Sequence, residues 1–452
     1  MKQAERSIAR VLGVFLCLAL WAQAAQGQDT KPNKKYVDDE ECGCELVFVD
    51  GIQTTQRNGL FGFKLEDGTE LVPPKYKFVD EFRDGFCIVL GDYEQVGMIN
   101  RRGEEILPCV FQEVVYPTEG IIKARRGDLY GFYDTTGREM LAPQWRAASS
   151  FFEGRAVVSV QLDSFTAGYG YIDTAGRMVL PPVYEYAYPF SEGRAAVKQY
   201  DRMGLIDAHG REVIPIKYGF LSSMNHGRVF ARDGETGLLA MFDGGDGQRM
   251  TPFAYDDVTG YGEGCYVVRR NNMLTYLDEK KGRERYGLYD MAGPFMEGFA
   301  CVARGGKYGI LNRRGKKVLP LEYDNTKRRP GAYVFHEGLA LVEKDGRMGF
   351  VNTKGKVVIP LQYESAFYFT EGLAPVCKDG AWGYIDHQGR EVIPFLFGPS
   401  SVFEYGRASV IYNNETYKID PSGQCVKNCS TFPTAEVQRR MARLAVERNA
   451  IQ

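Results

Sequence analysis

The stretch from Tyr169 to Val197, YGYIDTAGRMVLPPVYEYAYPFSEGRAAV, holds the plan of the whole chain. In Asp173-Thr-Ala-Gly176 an acid that can accept a backbone N–H two residues on is followed by a glycine able to take the positive φ of a tight turn. The flanks YGYI and RMVL are of strand length and rich in β-branched and aromatic residues, so the piece reads as a β-hairpin. Pro181 and Pro182 cannot donate ladder hydrogen bonds and are read as ending the second strand. After a polar and aromatic bend, a second glycine turn at Gly193 leads into the strand RAAVKQY. One copy therefore supplies about three antiparallel strands.

The same plan recurs along most of the 452 residues. The glycine of the second turn returns at Gly85, Gly120, Gly154, Gly193, Gly227, Gly264, Gly298, Gly338, Gly372 and Gly406, at spacings between 34 and 40 residues. The opening half returns as YGFYDTTG at Tyr130, MGLIDAHG at Met203, YGILNRRG at Tyr308, MGFVNTKG at Met348 and WGYIDHQG at Trp382, with a final half-copy, YKIDPSG, at Tyr417. A fixed period of this length is the mark of a repeat architecture. Glycine or proline interrupts every ten residues or so, which leaves no room for a helical period. The fold expected is all-β, a tandem array of about ten three-stranded repeats of roughly 35 residues, over residues 56–427. An open superhelical stack is favoured over the alternative of tandem β-propellers, because about 35 residues supply three strands and not the four of a blade. The pattern decays around Gly237 and Asp278.

These motifs resemble the WG-repeat family of bacterial β repeats, whose unit runs aromatic-Gly-x-Ile-Asp, turn glycine, apolar strand, proline, then Phe-x-Glu-Gly and an Ala-x-Val strand. The resemblance covers about residues 57–423. Only Trp382-Gly383 is a literal Trp-Gly; Tyr130, Tyr169, Tyr308, Phe61, Met203 or Met348 fills the tryptophan slot elsewhere. What the resemblance implies is a non-catalytic β array, common in exported or surface-associated bacterial proteins, with no family-wide ligand and no catalytic residues to carry over.

Outside the array, residues 1–27 have the layout of a secretory signal peptide: Lys2, Arg6 and Arg10, then the apolar run VLGVFLCLALW, then AQAAQG. The apolar run is too short to span a bilayer, and no later stretch is apolar and long enough. A secreted or periplasmic chain is expected, with residues 28–55 as a segment leading into the array. A lipid anchor fits poorly, since Leu16 precedes Cys17 and Glu41 precedes Cys42 where a small residue is wanted. With 44% apolar residues the chain is not disordered, and a formal charge of −2 with scattered Lys and Arg argues against nucleic acid as a partner. Residues 428–452 carry the one convincing helical pattern, with Val437, Met441 and Leu444 on one face. It reads as a cap over the last repeat.

The search for chemistry centres on residues that break the pattern. His209, His226, His336 and His387 lie in or near turns, without the spacing of a metal site. Asp134, Asp173, Asp207, Asp278, Asp386 and Asp420 share a slot with Asn100, Asn312 and Asn352. That interchange suits a turn hydrogen bond and not a general acid. Glu153, Glu192, Glu263, Glu297, Glu337 and Glu371 precede their glycines and read as turn residues, with a row of cation-binding acids as the lesser reading. Cys87, Cys265, Cys301 and Cys377 fall on the Ala-x-Val strands as small core residues. Cys42, Cys44, Cys425 and Cys429 flank the array, where one disulfide can pin an end. No cofactor is called for.

Aromatics in the bends, Trp145, Tyr184, Tyr186, Tyr188, Phe367 and Tyr368, are the candidate binding residues, because exposed tyrosine and tryptophan favour protein or sugar surfaces. The function expected is a non-enzymatic scaffold binding a protein or a cell-envelope glycan. The alternatives are a hydrolase with its site in the decayed region 234–286, where Asp243, Asp246 and Asp256 lie, or a purely structural envelope protein.

Overall fold

The structure is a computed structural model and describes residues 34–39, 44–163, 166–324, 334–427 and 429–449. Residues 1–27, which carry the pattern read as a signal peptide, and Cys42 lie outside the described residues. The chain divides into two compact units, 1–79 and 80–452.

In the first unit the strands Lys34–Asp39, Cys44–Val49, Ile52–Arg57, Leu60–Leu65 and Glu70–Tyr76 form one antiparallel sheet in chain order. The segment 28–55 is thus more than a lead-in. Strands within it extend the first sheet, and Ile52–Arg57 takes the place that the Ala-x-Val strand holds in later copies.

In the second unit, small antiparallel sheets follow one another along the chain. A representative one has the strands Tyr186–Ala187, Arg194–Gln199, Arg202–Asp207 and Glu212–Tyr218, in that order. Ser365–Ala366, Ala374–Lys378, Ala381–Ile385 and Glu391–Phe397 repeat the arrangement. Two differences from the sequence reading emerge. The sheet is out of phase with the repeat, because the Ala-x-Val strand ending one copy hairpins onto the aromatic-Gly strand opening the next. Seven of the eleven described sheets also have a fourth strand, two residues long in five of them, as at the bend where Tyr186 and Ala187 pair with Lys198 and Val197.

The prolines do not end their strand. Met178–Tyr184 runs straight through Pro181 and Pro182. Tyr171 pairs with Leu180 and Tyr169 with Tyr184, so Gly170 alone faces Pro181, Pro182 and Val183 in a bulge. A bulged segment needs no ladder N–H, which is why proline is tolerated there. The bulge also explains the glycine. A Cβ at Gly170 would sit 2.6 Å from the Leu180 carbonyl oxygen and 2.9 Å from the Pro182 nitrogen. The glycine of the aromatic-Gly pair is therefore required by close backbone approach.

The core lies between consecutive sheets. Val157, Tyr171, Leu180 and Tyr184 from one sheet meet Ala187, Ala195, Val197 and Ile206 from the next, with Phe190 from the link between strands. Tyr171 is fully buried, its ring 4.9 Å from that of Phe190, and its hydroxyl donates to the Tyr188 carbonyl at 2.8 Å. Tyr276 with Phe295 and Gly293, and Tyr384 with Phe403 and Ser401, repeat this arrangement. Phe132 with Phe151 and Phe350 with Phe369 keep the ring pair without the hydroxyl. Each such ring contributes about 1.5–3 kcal/mol by burial. A second contact locks the hairpins: Gly355, at φ +79°, abuts the Val318 carbonyl of the preceding sheet, where a Cβ would come within 2.0 Å.

The strands Ala408–Tyr412, Glu415–Ile419 and Cys425–Lys427 form the last sheet. The helix Thr434–Asn449 covers the adjoining core, with Val437 buried and Met441 packed in the cluster that holds Phe397, Tyr417 and Phe432. Cys425 is bonded to Cys429 just before it, Cα to Cα 5.7 Å. Among the described residues no helix is long and apolar enough to cross a membrane.

Replacing Gly170 by alanine forces the bulge apart and is expected to destabilise its neighbourhood by about 2–3 kcal/mol. Hydrogen exchange should rise in residues 155–161 and 194–207 while Ala408–Ile419 stays protected. A uniform rise along the chain would contradict coupling limited to neighbours.

Candidate functional site

The six bend aromatics do not share one environment. Trp145 and Tyr184 are buried, each 7% exposed, in the clusters around Phe132 and Tyr171 respectively. Neither offers a binding surface, which corrects the sequence reading. The reason is geometric: each closes a strand in which alternate residues point inward, so what reads as an outward bend is still pleated backbone. Tyr186 is 46% exposed and Tyr188 half-buried. Phe367 is half-buried with its ring 5.7 Å from that of Trp382, and Tyr368 stacks on His336 at 4.2 Å.

The glutamates of the second turn are bound to backbone. All the named ones have positive φ, and most of their carboxylates reach the corresponding turn of the next copy. Glu119 accepts the N–H of Glu153 at 2.6 Å and of Gly154 at 2.9 Å; Glu153 accepts that of Gly193 at 2.9 Å. Glu192 accepts those of His226 and Gly227, at 2.8 and 2.6 Å. Glu263 serves Gly298, Glu337 serves Gly372 and Glu371 serves Gly406. The row of acids is thus a ladder of charge-assisted hydrogen bonds between repeats. His226, standing in a glutamate slot, interrupts it and stacks instead on Tyr261 at 4.4 Å.

The hairpin acids behave as the Asp/Asn interchange implies, with one addition. Asp134 accepts from the backbone of Thr136 and also of Arg138, and its second oxygen takes Arg138 Nε at 3.0 Å. Asn100 and Asn352 accept the same pair of backbone N–H groups. The Thr136 hydroxyl, 2.6 Å from Asp134, together with the Thr136 and Arg138 N–H groups and the Arg138 side chain, holds that carboxyl down at about 2, against the opposing effect of desolvation.

Region 234–286 owes its irregularity to the same turns. Asp243 bonds Gly247 and Asp278 bonds Gly282, four residues on instead of the usual three, and the tip 233–238 between Arg232 and Leu239 has six residues where the corresponding tip 200–201 has two. The Asp243 and Asp278 tips each carry one extra residue. Asp243 accepts from Gly245 and pairs with Arg228 at 2.8 Å; Asp246 accepts from Gln248.

Three of the four histidines pack on rings and do not sit free on the turn surface. Beside His226 and His336, His387 stacks on Phe369 at 4.6 Å, its Nε2 2.9 Å from Glu337 but off the hydrogen-bond direction. Burial lowers the His336 pKa against the pull of Glu297 and Glu337. Cys87, Cys265 and Cys377 are buried and Cys301 partly so, and desolvation pushes the thiols of Cys87 and Cys301 up to about 12.

Sequence reasoning missed two residue sets. Lys123 occupies a strand position that is apolar in most copies, its Nζ 3.2 Å from the Ala148 carbonyl, 3.4 Å from Glu113 and above the Tyr130 ring. Tyr93 and Tyr200, at hairpin tips, are 90% and 82% exposed with positive φ. The available signal was an aromatic where other tips carry Asn, Asp or Gly.

Sheets that share their cores, hairpins closed by Asp or Asn, and turns joined by glutamate define a tandem β-repeat protein. The model of the WG containing repeat matches residues 61–90, 97–130, 130–161, 169–202, 203–235, 286–308, 308–347, 348–380 and 382–415, and the chain belongs to that family. The unmatched span between 235 and 286 is the one with longer tips. Among solved structures, a eukaryotic initiation factor aligns at 10% identity over 76% of this chain and 95% of its own, TM-score 0.36. BamB from Moraxella catarrhalis aligns at 13% identity over 68% and 94%, TM-score 0.29, and AztD from Citrobacter koseri at 13% over 56% and 85%, TM-score 0.28. No curated protein matches the chain.

Two outcomes are expected. Glu192→Ala orphans the His226 and Gly227 N–H groups and should cost about 0.5–1.5 kcal/mol in denaturant unfolding, with Glu192→Gln restoring part of it. Because the Asp134 pKa lies below its unfolded value near 3.9, the stability it contributes is complete above that pH and lost as pH falls towards about 2. Amide exchange of Thr136 and Arg138 should therefore accelerate over that acid range, while the corresponding amides of the Asn100 turn, Arg102 and Glu104, do not follow.

Proposed function

We propose that this chain is an exported, non-enzymatic β-repeat scaffold whose ligand is a protein or a cell-envelope glycan. The observation that carries the reading is the division of labour within the repeat. The recurring acids are engaged by backbone N–H groups of their own or the next copy, while side chains at the exposed bends and tips change from copy to copy. Repeat arrays use such varied surfaces for binding. Lengthened tips account for the irregularity of region 234–286. Export is supported by the N-terminal pattern and by the Cys425–Cys429 bond, which belongs to an oxidising compartment.

The test is retention of the mature chain, residues 28–452, on purified cell-wall glycan and on fractionated envelope proteins at two salt concentrations. Specific retention on either is expected. Turnover of a substrate panel that is abolished by Asp243→Asn, with no retention on either material, would overturn the reading.

A further inference from the structure

We propose that Tyr169, Tyr186, Tyr188 and Tyr200 form a stacking site for a neutral glycan. The assignment rests on the scaffold reading above and narrows it to one ligand class and one place.

The first observation is strain without an internal return. The two-residue tips that join an Ala-x-Val strand to the following aromatic-Gly strand, Gly127-Asp128 aside, take positive φ at both positions, and elsewhere their residues are Asn58-Gly59, Asn271-Asn272, Gly305-Gly306, Asp345-Gly346, Asp379-Gly380 and Asn413-Asn414. These are the types that tolerate the left-handed region. Tyr200-Asp201, at φ 50° and 55°, breaks the rule with a phenol ring that is 82% exposed. A strained residue whose side chain packs on nothing in its own fold points to a role outside it.

The second observation is the neighbouring ring cluster. Tyr186 lies 5.3 Å from Tyr169 and 5.0 Å from Tyr188, centroid to centroid, at interplanar angles of 49° and 70°. Tyr186 itself stays 46% exposed. The corresponding positions elsewhere are Phe220 and Ser222, Met291 and Gly293, and Ser365 and Phe367, so this concentration of tyrosine belongs to one copy. The tip is tied to the cluster. Glu185 accepts the N–H of Tyr200 at 2.9 Å and of Asp201 at 3.2 Å, and Tyr186 pairs in the sheet with Lys198, whose ammonium is 2.6 Å from Asp201.

The chemistry selects the ligand. Lys198 and Asp201 neutralise each other and Glu185 is held by two N–H groups, so the fringe favours neither an acidic nor a basic partner. The rings meet at tilted and edge angles instead of forming the parallel walls that grip a polyproline helix. What they offer is one buttressed ring face and a projecting second ring, each with a hydroxyl at its rim. That suits a pyranose, which has an apolar face of similar size and polar groups around its edge.

The probe is the neutral tetramer of N-acetylglucosamine, with cellotetraose beside it, titrated into the mature chain by saturation-transfer NMR and calorimetry. Binding of at least one is expected, little changed by salt and weakened about tenfold or more by Tyr186→Ala and by Tyr200→Asn. Because asparagine suits the tip, Tyr200→Asn should at the same time raise the Tm, by about 1–2 °C for a chain of this size. Failure of both oligosaccharides to bind, or full affinity in Tyr200→Asn, overturns the proposal, as does a Tyr200-dependent proline-rich peptide. An unchanged or lowered Tm in Tyr200→Asn removes the strain argument and overturns it too. If the envelope retention described above persists in both variants, the scaffold reading survives and this site assignment falls.

Discussion

A sheet of strands six residues long cannot bury its own apolar face, and every other feature of this protein answers that constraint. Tyr171 and Leu180 find cover only because Ala187, Phe190 and Val197 belong to the following sheet. The unit that is stable is therefore a pair of neighbours. The buried phenol–carbonyl bond of Tyr171, repeated at Tyr276 and Tyr384, directs that junction, because a hydroxyl left without its acceptor in the core costs more than a methyl would.

Much of this was legible in the residues. The hairpin of Asp173-Thr-Ala-Gly176, the period of the second-turn glycines and the capping role of the C-terminal helix follow from local turn chemistry and patterning, and the structure keeps them. What was not legible depended on pairing across distance. Pro181 and Pro182 look like a strand end until the partner strand reveals a bulge. Trp145 and Tyr184 look like surface aromatics until the pleat beyond the bulge turns them inward. The glutamates before the turn glycines carry no local sign of their partners, which lie 34 to 40 residues away in the next copy. Tyr200 differs: its oddity was visible as a tyrosine in a slot of asparagine and glycine, but only once the slot had been aligned by its backbone.

The acids illustrate how a repeat removes chemistry from its most reactive groups. A carboxylate that, like Asp134, accepts two backbone N–H groups, a hydroxyl and an arginine N–H has little lone-pair capacity left, and holding it ionised well below neutral pH deprives it of any use as a proton donor. Asp173 and Asp207, in the same slot, are lowered as well, so a recurring turn acid need not make an acidic binding face. Selectivity for a ligand must come from positions that the hairpins and the ladder leave unconstrained.

The longer tips at Asp233, Asp243 and Asp278 carry a consequence for how such arrays diverge. Most sheets take their register from their own bulge and hairpin, so a residue inserted at a tip is absorbed on the spot and the next copy starts in phase. Lineages of this architecture can therefore accumulate length changes without a frameshift of their three-dimensional pattern, and kinship measured by fixed spacing will fade sooner than kinship of form.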